Sequence, residues 1–153
     1  EEIWLAPQDG SKKPQQLTTG GKAMRYQPEW SPDGKKIAFS DKDGKLFIVT
    51  VADKSIQQIA DSKLGEISDF QWAPKGSYLA FSMGDRNEVT ALYISSGKDS
   101  QVRRVTDRYF DAFSPAWDPD GNYLYFLSKR EFAPLISGVE FNFASGDRDR
   151  RPR

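Results

Sequence analysis

Two missing side chains bound the chemistry open to this chain: among its 153 residues there is no His and no Cys. Ser-His and Cys-His nucleophilic catalysis need an imidazole, so neither can be assembled here. Structural zinc sites, thiol redox chemistry and disulfides fall on the same ground. Carboxylate chemistry remains. Asp118 and Asp120 stand close enough in sequence to suggest an acid-base pair. Both belong to Asp118-Pro119-Asp120-Gly121, however, where Pro presets φ and Gly accepts a positive φ, so turn formation accounts for them. The matching Ala73-Pro74-Lys75-Gly76 carries no carboxylate. Asp41-Lys42-Asp43-Gly44 begins like a calcium loop, but Ala52 occupies the position where the ion needs a bidentate Glu. It reads as a hairpin turn. Gly20-Gly21 precedes no strand-to-helix transition and reads as a flexible link, not a phosphate cradle. No catalytic, metal-ligating or cofactor-binding residue is therefore assigned, and no cofactor is expected.

Charge narrows the partners. The chain carries 22 Lys+Arg against 22 Asp+Glu, and a net charge of zero argues against nucleic acid, whose binding needs clustered excess cations. A hydrophobic content of 37% and an aromatic content of 13% suffice for a packed core. No stretch approaches the roughly 18 apolar residues of a membrane span, so no membrane partner is expected. The start, Glu1-Glu2-Ile3-Trp4, lacks the basic-then-apolar pattern of a leader.

The elements that would carry any site are set by a repeat. Pro28-Glu29-Trp30-Ser31-Pro32-Asp33-Gly34, Phe70-Gln71-Trp72-Ala73-Pro74-Lys75-Gly76 and Pro115-Ala116-Trp117-Asp118-Pro119-Asp120-Gly121 place their tryptophans 42 and 45 positions apart. Each is followed by a similar apolar run: Ile37-Ala38-Phe39-Ser40, Leu79-Ala80-Phe81-Ser82 and Leu124-Tyr125-Phe126-Leu127-Ser128. A second series is interleaved, with Ile3-Trp4-Leu5, Leu46-Phe47-Ile48 and Leu92-Tyr93-Ile94 each leading to a polar-apolar run such as Gln57-Gln58-Ile59. Short β-branched or aromatic runs bounded by Gly, Pro and Asp read as strands and turns. A period of about 40 to 45 residues with four strands per unit is that of a β-propeller blade.

The fold class expected is all-β: four-stranded antiparallel blades in an incomplete propeller of about three blade-equivalents. Residues 1–19 form a partial blade holding only the outer strands c and d; residues 24–60 and 66–106 are full blades. Residues 112–144 supply strands a and b plus an exit strand, and the charged 145–153 tail is expected to be disordered. Propellers typically close with about four to eight blades. The chain is therefore expected either to be part of a longer polypeptide or to pair with another copy as a homodimer. The repeated tryptophans are expected to pack between blades, not to serve as ligand platforms.

In such blades the d-to-a and b-to-c connections emerge on one face, opposite the Pro-Asp-Gly turns. Arg86, Arg108, Tyr109, Phe110, Arg130 and Phe132 fall there. Cationic and aromatic side chains of this kind are enriched where proteins bind partners, so these residues form the candidate peptide- or partner-binding face.

The repeats resemble those of the tricorn protease family, in which Trp-Ser-Pro-Asp-Gly-Lys-Lys-Ile-Ala-Phe-Ser opens a blade as Trp30 to Ser40 do here. Ser40 to Leu46, Ile67 to Trp72 and Asp118 to Ser128 look like successive parts of the second tricorn propeller. Single repeats are also similar to TolB. The resemblance implies a non-catalytic module of a large cytosolic serine peptidase, lining a channel that passes peptides to a separate Ser-His domain. That family's catalytic residues have no counterpart here. Leu135 to Phe143 looks like the family's exit from the propeller, which implies that further blades precede Glu1. The rival expectation is a TolB-type propeller that docks a partner protein in the bacterial envelope, which would make the compartment periplasmic instead of cytoplasmic.

Overall fold

The computed structural model describes residues 1–85, 89–96 and 101–130. Every regular element among them is a strand: β1 (Trp4–Leu5), β2 (Gln15–Gln16), β3 (Arg25–Trp30), β4 (Lys36–Asp41), β5 (Lys45–Thr50), β6 (Ile56–Asp61), β7 (Phe70–Trp72), β8 (Leu79–Gly84), β9 (Thr90–Ser95), β10 (Val102–Arg104), β11 (Asp111–Trp117) and β12 (Leu124–Lys129). They form antiparallel meanders, β3-β4-β5-β6 and β7-β8-β9-β10, flanked by the two-stranded sheets β1-β2 and β11-β12. The expected exit strand and the 145–153 tail lie outside the described residues.

The turn chemistry explains the a-to-b hairpins. Gly34, Gly76 and Gly121 adopt φ of 68°, 66° and 71°. Each closes its turn by donating its N–H to the carbonyl of Ser31, Ala73 or Asp118. This is a type I turn followed by a left-handed glycine, a common way to join two strands. Asp118 accepts the Tyr123 N–H at 2.6 Å, and Asp41 Oδ1 accepts the N–H groups of Asp43 and Lys45 at 3.0 Å. Both carboxylates thus hold turns.

Alternation along each strand then divides its side chains between two cores. Ile37 and Phe39 of β4 join Val49 and Leu17 in a cluster toward β1-β2. Ala38, Leu46 and Ile48 point the other way, joining Leu79 and Phe81 of the next sheet. Sheets covered on both faces need such near-continuous apolar strands. Phe39 and Phe81 are fully buried, and each contributes about 1.5–3 kcal/mol by leaving water. Across the ladder Phe39 stacks on Phe47 at 5.2 Å between ring centroids, and Phe81 stacks on Tyr93 at 5.8 Å.

The strands nearest the a-to-b turns are tied sheet to sheet. The Trp72 indole N–H donates to the Glu29 carbonyl at 3.2 Å, and the Trp117 indole repeats the bond to Gln71 at 3.2 Å. Tyr78 stacks on Trp117 at 6.5 Å. Two of the three tryptophans therefore sit between blades, as expected. Trp30, with no inner strands beyond it among the described residues, is instead exposed.

Strand a also carries a feature that the sequence reading did not foresee. Gln27 and Ser114 have φ of 49° and 53°, and the register shifts across Tyr26/Glu29 and Phe113/Ala116. Pro28 and Pro115 follow them and cannot donate to a ladder, so a bulge absorbs each proline. At the corresponding place the middle blade has Asp69-Phe70 and a regular register.

Candidate binding face

The b-to-c and d-to-a connections do share one face, because close backbone contacts bind them. The Ser62 N–H donates to the Gly44 carbonyl at 2.8 Å. Gly44 has φ of 78°, and a Cβ there would lie 2.6 Å from the Ser62 oxygen, so only glycine fits this approach. In the next blade the Asp85 N–H donates to the Val89 carbonyl at 2.9 Å, closing the corresponding connection.

Arg104, at the end of β10, organises the 105–110 connection. Its guanidinium pairs with Asp85, donates from Nε to the Thr106 carbonyl at 2.9 Å, and donates to the Asp107 carbonyl. Asp107 in turn accepts the Tyr109 N–H at 3.1 Å, and Asp111 accepts the Thr90 N–H at 2.8 Å. Burial first, and then the Asp85 carboxylate, push the Tyr93 phenol above its usual range, with Arg104 and Arg108 opposing. Asp69 supplies a second tie: its carboxylate accepts from Ser82 Oγ at 3.1 Å and from the Ser114 N–H of the following blade. None of these carboxylates stood out in the sequence. The available signal was their recurrence at strand ends on one face.

Within this frame four of the expected residues are described. Arg108 and Tyr109 project into solvent, Tyr109 at 82% exposure. The Arg130 guanidinium lies 5.4 Å from the centroid of the half-buried Phe110 ring, a cation–π contact that joins the last two connections. Arg130 and Phe110, with Val105, Asp107, Ala112 and Phe126, line a cavity of about 200 Å³. A second cavity of about 440 Å³ opens on the same face beside exposed Leu64, Glu66 and Ser68 and the half-buried Met83. The other two expected residues, Arg86 and Phe132, lie outside the described residues. The face thus offers exposed cations, aromatic surface and two concavities.

Successive four-stranded meanders packed face to face and joined tryptophan to carbonyl define a β-propeller module. The sequence matches the tricorn protease second beta propeller domain over residues 1–151, and the chain belongs to that family. A tricorn-like protease C-terminal subunit of Sulfurisphaera tokodaii is 36% identical over 116 residues, which are 74% of this chain and 13% of that protein. A TolB homolog of Chlorobium luteolum is 30% identical over 142 residues, covering 89% of this chain and 30% of that one. The crystal structure of the tricorn protease superposes on 83% of this chain and 13% of that chain with a TM-score of 0.71 at 18% identity, a likeness of fold. The chain spans 11% to 13% of the length of the tricorn relatives that it matches. Among the described residues no helix is long and apolar enough to cross a membrane.

Proposed function

We propose that this chain is a non-catalytic propeller module of a tricorn-like peptidase that guides or gates peptide substrates, with its b-to-c and d-to-a face as the contact surface. The supporting observation is the exposed Arg108-Tyr109 pair beside the Arg130–Phe110 contact and its cavity, within a chain of the tricorn propeller family. Guanidinium groups beside aromatic rings attract acidic and aromatic peptide side chains. The remaining blades and the catalytic domain of a parent protein are the other partners in this reading, and the compartment is cytoplasmic. In this reading bond cleavage belongs to that parent, and His-dependent catalysis cannot be assembled from this chain, which has no imidazole.

The same face supports a second reading, favoured by the 89% of the chain that aligns with the TolB homolog: a propeller that docks a folded partner protein in the bacterial envelope, in a periplasmic setting. Fluorescence anisotropy with labelled unstructured peptides of acidic-aromatic and basic composition separates the two. The gating reading expects the acidic-aromatic peptide to bind and charge reversal at Arg108 and Arg130 to weaken it roughly tenfold, as loss of anchor side chains does. Absence of binding, or binding indifferent to the reversals, would overturn it.

A further inference from the structure

The two cavities of the binding face differ in charge, and the larger one has no role in the contacts made by Arg108, Tyr109, Phe110 and Arg130. It opens where the two full blades meet. Leu64, Glu66 and Ser68 come from the connection between β6 and β7, Ser82 and Met83 from β8, and Thr90 from the start of β9. Its walls therefore belong to full blades, and neither terminal half-blade shapes it.

Apolar rim and acidic lining stand side by side in it. A Cβ on Gly84 would lie 3.0 Å from the Leu64 Cβ, so the glycine gives the room that lets Leu64 approach β8. The Leu64 side chain is nevertheless 52% exposed, and half-buried Met83 lines the cavity with it. Glu66 is exposed and has no hydrogen bond or ion pair among the described residues. Behind the wall Asp69 accepts from Ser82 Oγ at 3.1 Å and from the Ser114 N–H, so its partners are neutral. No Lys or Arg lines this cavity among the described residues. The smaller cavity is the reverse: Arg130 lies over Phe110, and the Asp107 carboxylate is taken up by the Tyr109 N–H. The two cavities adjoin, because the Thr90 N–H at the edge of the larger one donates at 2.8 Å to Asp111, the chain neighbour of Ala112 in the smaller.

We propose that the cavity of Leu64, Glu66 and Met83 is a subsite for an Arg or Lys side chain, so that the face takes peptides in which a basic residue accompanies the acidic or aromatic one. This rests on the peptide-guiding reading above and adds a second class of side chain to it. Long cationic side chains bury their stems on apolar surface and keep the charged head near water. Here the stem lies along Leu64 and Met83, and the head pairs with the Glu66 carboxylate in a charge-assisted hydrogen bond. An acidic side chain is repelled by Glu66 and Asp69, and a purely aliphatic one covers the Glu66 carboxylate without pairing it. Opposite charges at two adjoining subsites then fix the direction and register of a peptide that carries both.

Fluorescence anisotropy of the 153-residue chain with labelled peptides tests this. Each peptide joins an acidic-aromatic half to one Arg through a Gly-Ser spacer of graded length, in both orders, and a matched set carries Gln in place of Arg. At the spacer that spans the two cavities the Arg peptide should bind roughly three- to tenfold more tightly than its Gln match, the gain expected of a charge pair, a buried stem and a tethered second contact. Glu66→Gln should bring the two peptides to equal affinity. Leu64→Ser, which keeps the charge and removes the apolar wall, should narrow the difference. Asp53→Asn, which removes a carboxylate from the turn between β5 and β6 at the opposite end of the strands, should leave it intact. Equal affinity for the Arg and Gln peptides at every spacer length, or a gain that survives Glu66→Gln, would overturn the subsite and leave the gating reading standing. Failure of both peptides to bind would overturn the gating reading and the subsite with it.

Discussion

Trp72→Phe tests whether the repeated tryptophans tie blade to blade. Trp72 is 4% exposed, packs in the core shared by the two full blades, and bonds through its indole to the Glu29 carbonyl at 3.2 Å. Phenylalanine keeps one ring and the strand propensity but removes the second ring and the N–H. Roughly 40 Å² less buried apolar surface costs about 1 kcal/mol at 25 cal/mol per Å². Losing the hydrogen bond and leaving the Glu29 carbonyl with a poorer partner adds about 1 kcal/mol. The sum, about 2 kcal/mol, corresponds to a fall in Tm of about 4–8 °C for a domain of this size. Differential scanning fluorimetry or calorimetry at fixed protein concentration reads the change against Tyr109→Ala, a control that should move by less than about 0.5 kcal/mol because the side chain lies in solvent. Equal, small shifts for both variants would show that the tryptophan is dispensable to blade packing and refute the reasoning.

Two further outcomes follow from the ties between connections and between blades. Burial raises the Glu29 carboxyl above its ordinary value of 4.5, a backbone hydrogen bond from Trp72 opposing. A raised pKa in the fold means that stability is fully present below the ordinary value and is lost as pH rises through the folded one. Glu29→Gln, which copies Gln71 of the next blade, should therefore stabilise the chain near neutrality, and the gain should vanish well below the carboxylate range; a gain that persists in acid would contradict the assignment. Arg104→Met should loosen the 105–110 connection by removing its bonds to Asp85, Thr106 and Asp107. Hydrogen exchange there should rise roughly tenfold while β4 and β5 stay protected, and uniform acceleration across both regions would mean global destabilisation instead.

Much of the architecture is decided by interactions between near neighbours in sequence, which is why it can be read without coordinates. Proline presets φ and glycine accepts a positive φ at Ser31-Pro32-Asp33-Gly34 and its counterparts, so the hairpins are local facts. The repeat of strand and turn then makes blades. The same locality shows Asp118 and Asp41 as carboxylates that hold turns. Even the bulges at Gln27 and Ser114 were open to this reading, since each precedes a proline in a strand.

The candidate face was legible only in outline. Arg108, Tyr109, Phe110 and Arg130 fall on it because strand count alone decides which connections share an end. What holds that face together was not visible, because Arg104 reaches Asp85 across 19 positions and Asp69 reaches Ser114 across 45. Such pairs become neighbours only when one twisted sheet is laid on the next. The tryptophans show the same division most simply: similar sequence segments leave Trp72 4% exposed and Trp30 45% exposed. Residue type and spacing determine the strand each one occupies, but burial depends on whether a neighbouring sheet covers it, and only tertiary structure decides that.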